Sequence, residues 1–156
     1  MNKYKPINNY DGTVKRAQKL IKEFEGLCLK PYLCPGGYMT IGWGHRIRNE
    51  NYEQITPEEA EFLLEKDISG IVDALEGMLW DSFEKLTDNQ KAALISFVYN
   101  IGENAFRKST IRKKILGGAP KEEIAEEFKK WVFAGGKKLK GLEKRREKEA
   151  ELFLED

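Results

Sequence analysis

Between about residues 30 and 50 this 156-residue chain abandons the periodicity that surrounds it. Pro31, Pro35, Gly36, Gly37, Gly42 and Gly44 punctuate short runs rich in Tyr, Thr, Ile and Trp, the pattern of a small antiparallel sheet with tight turns. On either side, apolar residues recur at helical spacing. Val14, Ala17, Leu20, Ile21 and Phe24 predict a helix over 12–24, stopped by Gly26. Thr56-Pro57-Glu58-Glu59 combines an N-cap hydroxyl, Pro at the first helical position and Glu at the third, and predicts a helix running to about Gly77. Thr87-Asp88-Asn89-Gln90 repeats that logic ahead of Ala92–Val98, which is apolar around most of its circumference and belongs in the middle of a helical lobe. Further helices are expected over Ser109–Leu116, Pro120–Phe133 and Lys144–Leu154, with breaks at Gly117-Gly118 and Gly135-Gly136. The expected class is α+β, mostly helical, with the strands segregated at one end. Its parts are an N-terminal helix (12–24), a β lobe (about 30–55), a connecting helix (56–77) and a helical lobe (87–154), within one domain over residues 1–156. A cleft is expected where the β region meets the helices.

Forty per cent apolar and 34% charged residues exclude a disordered chain. No apolar run approaches the roughly 20 residues that span a bilayer. Met1–Tyr10 lacks the apolar core of a signal peptide, so the cytoplasm is the expected starting compartment. The net charge of +1 hides an asymmetry: residues 1–105 carry 12 Lys/Arg against 16 Asp/Glu, residues 106–150 carry 15 against 7, and the last six residues contribute −3. A basic half suits a polyanionic partner, either nucleic acid or an anionic wall polymer, and equally a solvated Lys/Glu surface. Interleaved Glu122, Glu123, Glu126, Glu127, Glu143 and Glu147 break up any continuous phosphate track, which argues against nucleic acid. One His and two Cys exclude a four-ligand zinc site of Cys and His, and neither a metal nor a cofactor is expected. A single Cys pair does not make a disulfide framework.

The chemistry concentrates in Glu25-Gly-Leu-Cys28-Leu-Lys-Pro-Tyr-Leu-Cys34-Pro-Gly-Gly-Tyr-Met-Thr40-Ile-Gly-Trp-Gly-His45. It sets a carboxylic acid, a thiol and a hydroxyl at spacings of nine and six residues, on the expected lobe boundary. Glu25 ends the first helix beside apolar Phe24 and Leu27, a setting suited to a carboxyl that must donate a proton. Taken singly, each residue has a plainer reading: a surface Glu, a buried thiol, a strand Thr and a structural His45.

Taken together, the string resembles the active-site signature of phage-type lysozymes, the T4-lysozyme-like endolysins of glycoside hydrolase family 24. Ala92–Gly102 resembles that family's central buried helix, and Ala105–Thr110 the turn after it. Trp131–Gly136 and Gly141–Glu147 resemble its C-terminal signature. The resemblance implies hydrolysis of the β-1,4 bond between N-acetylmuramic acid and N-acetylglucosamine in peptidoglycan, with lysis of the host. By motif position it implies Glu25 as general acid and Thr40 as a residue orienting the attacking water. Cys34 stands where most members carry Asp; some carry Cys. As a neutral thiol it positions water weakly, and as a thiolate it supplies the negative charge that an oxocarbenium-like transition state needs. An ordinary thiol is only a few per cent ionised at neutral pH, so a thiolate requires a cation, for which Lys30 is nearest in sequence. An inverting reaction, with water held by Cys34 and Thr40, is favoured over a glycosyl-thioether.

The same pattern pairs His45 with Asp67, eleven residues after the N-cap Thr, as a structural clamp. Cys28 is expected to be free and buried; the sharper alternative is a Cys28–Cys34 disulfide holding the enzyme inactive. Without a signal, the family implies release to the wall through a holin, and a monomer is expected. The remaining alternative is a catalytically inactive peptidoglycan-binding protein of the same fold.

Overall fold

Two reciprocal caps fix the start of the two principal helices. Thr56 Oγ1 accepts from Glu59 N at 3.1 Å while Glu59 Oε1 accepts from Thr56 N at 3.3 Å. Thr87 and Gln90 do the same at 3.1 and 3.0 Å. Each box satisfies backbone donors that a helix N-terminus otherwise leaves open. These bonds are seen in a computed structural model that describes residues 10–155. Met1 to Asn9, the bulk of the segment examined above for a signal peptide, lies outside the described residues.

The chain begins with α1 (Asp11–Glu25), whose last residue is Glu25 and whose C-cap is Gly26 at φ 69°. Three antiparallel strands follow, β1 (Cys28–Leu33), β2 (Met39–Gly42) and β3 (His45–Arg46), in that order across the sheet. The connecting helix α2 (Pro57–Leu79) then crosses to the helical lobe. That lobe holds α3 (Asp81–Glu84), α4 (Asp88–Ile101), α5 (Glu103–Arg107), α6 (Thr110–Leu116), α7 (Lys121–Phe128) and α8 (Lys140–Leu154). The mostly helical α+β organisation is therefore the one observed, with the three-stranded sheet between α1 and α2 and a second, two-stranded one between α7 and α8.

Residues 91–98 of α4 are all buried, which explains why their pattern lacks a polar face. Around them Ile21, Leu75, Phe83, Phe106, Phe128 and Phe153 complete one core. A smaller core of Ile41, Ile55, Ala60 and Leu63 fastens the sheet to α2, and Trp43 packs against both. At Gly42 (φ 68°) a Cβ would meet Ala60 Cβ at 3.4 Å, so this glycine lets strand and helix close up.

Several elements differ from the expectation, beginning with the short helices α3 and α5, which it did not include. The helix over Pro120–Phe133 ends at Phe128. Phe133–Ala134 (β4) instead pairs with Lys137–Lys138 (β5) across Gly135-Gly136. Both glycines have positive φ, 58° and 78°, as a two-residue primed hairpin turn requires. Helix α8 also starts four residues early, at Lys140. No helix among the described residues is long and apolar enough to cross a membrane.

Candidate active site

A cleft of about 530 Å³ runs between the sheet and the helical lobe, and Glu25, Cys34 and Thr40 all line it. Phe24, Trp131 and Phe133 supply apolar wall. A second hollow, of about 650 Å³, shares Tyr38, Gly44, Arg46, Tyr99 and Ile101 with the first. The two hollows therefore adjoin at these five residues.

Glu25 is held from two sides. Arg145 Nη1, from α8, donates to Glu25 Oε1 at 2.6 Å. On the other side, Gly44 (φ 90°) is so close that a Cβ would sit 2.6 Å from Glu25 Oε2. Arg145 is itself buried; its Nε faces Glu149 Oε2 at 3.4 Å and its Nη2 donates to the Ser96 carbonyl at 3.1 Å. Such charge-assisted bonds fix a carboxylate's direction as well as its place. The apolar shielding expected from Phe24 and Leu27 is not the carboxyl's environment. Leu27 is exposed, and the nearest partner is a guanidinium.

Cys34 and Thr40 meet at the Tyr38 carbonyl. Cys34 N donates to it at 2.9 Å and Thr40 Oγ1 donates to it at 2.9 Å. Burial pushes the Cys34 thiol up, but hydrogen bonds at Tyr38, Thr40 and Gly36, together with the positive Arg46, outweigh it and hold the thiol below its ordinary value. Burial raises the Tyr32 phenol, and the negative Glu25, Cys28 and Cys34 raise it further. The cation that acts on Cys34 is thus Arg46 and not Lys30, which is exposed on β1.

His45 and Asp67 do pair, Nδ1 to Oδ2 at 2.7 Å, joining β3 to α2. Glu50 Oε1 lies 3.5 Å from the other ring nitrogen. The Asp67 bond raises the imidazole above its ordinary value against the opposing effect of burial, with Glu50 adding to the rise.

Cys28 and Cys34 are both free and half-buried. Cys28 opens the extended strand β1 and Cys34 follows its last residue, Leu33, so the strand alone holds its two ends on the order of 15 Å apart. A disulfide needs about 7 Å or less. The regulatory bridge considered above is out of reach while β1 is paired with β2.

Part of the basic half is paired internally, although 15 Lys/Arg against 7 Asp/Glu leave it net positive. Lys114 and Lys130 both pair with Glu127, Lys129 with Glu126, Lys138 with Glu143, and Arg146 with Glu149.

This geometry has relatives. The phage lysozyme family model matches residues 22–149. The chain belongs to the phage lysozyme family. It is 42% identical over 138 residues to an endolysin of Acyrthosiphon pisum secondary endosymbiont phage 1, covering 86% of this chain and 92% of that one. It is 41% identical over 138 residues to an endolysin of Bacillus phage B103, covering 86% of this chain but 51% of the other. The chain thus spans about half the length of that relative. Among solved structures, the muramidase domain of SpmX from Asticaccaulis excentricus superposes with a TM-score of 0.76 at 34% identity, covering 90% of this chain and 95% of that one.

For a phage lysozyme, the residues that sequence reasoning left without a role are the cations. Arg145 lies inside the C-terminal signature Gly141–Glu147, a signal that pointed to the family without naming its purpose. Arg46 follows the motif's last residue, His45, and had no signal of its own in the sequence.

Proposed function

We propose that this chain hydrolyses the β-1,4 bond between N-acetylmuramic acid and N-acetylglucosamine in peptidoglycan, with inversion at the anomeric carbon. The observation that carries the proposal is the convergence of Glu25, Cys34 and Thr40 on one cleft, with the Glu25 carboxyl aimed by Arg145 and Gly44. Glu25, carrying a proton, delivers it to the leaving glycosidic oxygen as the C–O bond breaks. A water held between the Cys34 sulfur and the Thr40 hydroxyl attacks the opposite face of the sugar and passes its proton to sulfur. The thiolate's charge offsets the positive charge developing on the ring. Phe24, Trp131 and Phe133 offer flat apolar surface to the sugar rings along the way.

The proposal extends to the enzyme's setting: synthesis in the host cytoplasm, release through a holin, and lysis of the host from the wall side, by a monomer. Clearing of a peptidoglycan suspension is the test. Glu25→Gln is expected to lose at least about 100-fold, the typical size of a general-acid contribution. Cys34→Asp is expected to stay within about tenfold of the parent and Cys34→Ala to lose most of the activity, as expected for a group whose charge serves the transition state. Full activity in Glu25→Gln would refute the assignment, and net retention of the anomer first formed would refute inversion. Wall binding without clearing by the parent would restore the inactive alternative.

A further inference from the structure

In the β2–β3 ladder Arg46 stands directly opposite Thr40, so their side chains share a face of the sheet, and both line the cleft with Cys34. The guanidinium is fixed on two sides. Its central carbon sits 4.0 Å above the Tyr38 ring, and Nη2 donates to the Asn100 carbonyl, at the end of α4, at 3.2 Å. Tyr38 therefore carries the cation on its ring while its carbonyl gathers Cys34 and Thr40. Among the described residues no carboxylate pairs with Arg46. Arg145, the other guanidinium of the cleft, is engaged by Glu25 and Glu149. A guanidinium without a carboxylate partner thus lines the same cleft as the one group whose proposed role requires a cation.

We propose that Arg46 is a positioning residue that keeps Cys34 in its anionic, water-orienting form. The inference rests on the muramidase reading above for its catalytic consequence, but its chemical core concerns the thiol alone. Arg suits the task because it stays charged and has no proton to yield to the sulfur. Other titratable groups around Cys34 are Glu25 from α1, Tyr32 from β1, Tyr38 from the hairpin, Tyr99 from α4 and Arg145 from α8. Of the two arginines, Arg145 has its charge met by carboxylates, and Arg46 supplies the unmatched positive charge. The direction of the Cys34 shift, to which Arg46 contributes, agrees with this arrangement.

The test follows the pH dependence of iodoacetamide alkylation in the Cys28→Ser protein, where Cys34 is the sole thiol. In Arg46→Gln the alkylation rate at neutral pH is expected to fall about three- to tenfold as the thiolate fraction drops, with the midpoint moving up. Against peptidoglycan, kcat should fall by a similar factor with KM little changed, and Arg46→Lys should recover at least half of both losses. In a Cys34→Asp background the loss from Arg46→Gln should shrink to about twofold or less, because Asp ionises at neutral pH without help. An alkylation profile unmoved in Arg46→Gln, or moved equally in Arg46→Lys, overturns the proposal. So does a KM rise of equal size with Cys34 or Asp at position 34, which would make Arg46 a substrate-binding group. Should the parent fail to clear peptidoglycan, the alkylation series still decides the Arg46–Cys34 coupling. Arg46→Lys answers for folding if Arg46→Gln melts early.

Discussion

Replacing Gly44 with Ala tests the site with a single methyl group. The new Cβ would lie 2.6 Å from Glu25 Oε2 and 2.8 Å from Glu25 Cδ, so the carboxyl would have to retreat by at least 0.4 Å merely to reach 3.0 Å. It has nowhere easy to go, since its other oxygen is bonded to the buried Arg145 at 2.6 Å. Two costs add. A side chain at φ 90° costs about 1–2 kcal/mol of backbone strain, and loosening a charge-assisted bond costs about 1.5–3 kcal/mol. A total of roughly 3–4 kcal/mol lowers Tm by about 6–15 °C in a protein of this size. Activity should fall by up to about 100-fold, because a misplacement approaching 1 Å is enough to spoil the geometry of proton delivery. Gly118→Ala is the control. It has φ 72° but nothing within 4 Å of its Cβ, so it should show the backbone cost alone and keep its activity. Thermal melts and turbidity assays on the two variants suffice. If Gly44→Ala melts like Gly118→Ala and clears the wall at the parent rate, the carboxyl is not where the cleft geometry puts it.

Asp67→Asn should destabilise the protein more at about pH 6 than at about pH 9. His45 is raised in the folded state, so its contribution is complete below the ordinary imidazole value and fades as pH rises through the raised one. Melting curves showing the same cost at both values would refute the pairing. Glu149, fully buried, receives Ser96 Oγ at 2.6 Å as well as both Arg145 and Arg146. Glu149→Gln leaves two buried guanidinium groups short of an anion and should cost about 3–5 kcal/mol in urea unfolding; under 1 kcal/mol would mean that the network is slack. Trp80 is the sole non-glycine residue with positive φ among the described residues, at φ 47° and ψ −129°, and it is 65% exposed. Trp80→Gly should raise stability by about 1 kcal/mol, since strain is relieved with little burial lost, and a lower Tm would contradict that.

What the sequence disclosed was local. The capping boxes at Thr56 and Thr87 are written within four residues, and the structure repeats them atom for atom. The cleft position of Glu25, Cys34 and Thr40 was legible because their spacing straddles a change of periodicity. Gly135-Gly136 was visible as a break, but a break does not say whether the chain turns back as a hairpin; φ does. The two guanidinium groups were harder. Arg145 comes to Glu25 from the far end of the chain, and Arg46 reaches Cys34 only through the ladder that sets it opposite Thr40. Proximity in sequence favoured Lys30, which the strand leaves exposed. The same strand keeps Cys28 from Cys34, since six residues that look close on paper lie stretched out along β1.

The bond between Glu25 and Arg145 joins residues 120 positions apart. On a ribosome adding about 5–20 residues per second, some 6–24 s pass between the making of the two. For most of that interval the nascent protein holds Glu25, Cys34 and Thr40 but lacks the arginine that orients the Glu25 carboxyl. The site is therefore completed from the end of the chain backwards, when α8 docks, so the order of synthesis itself delays a finished site until the fold is nearly closed.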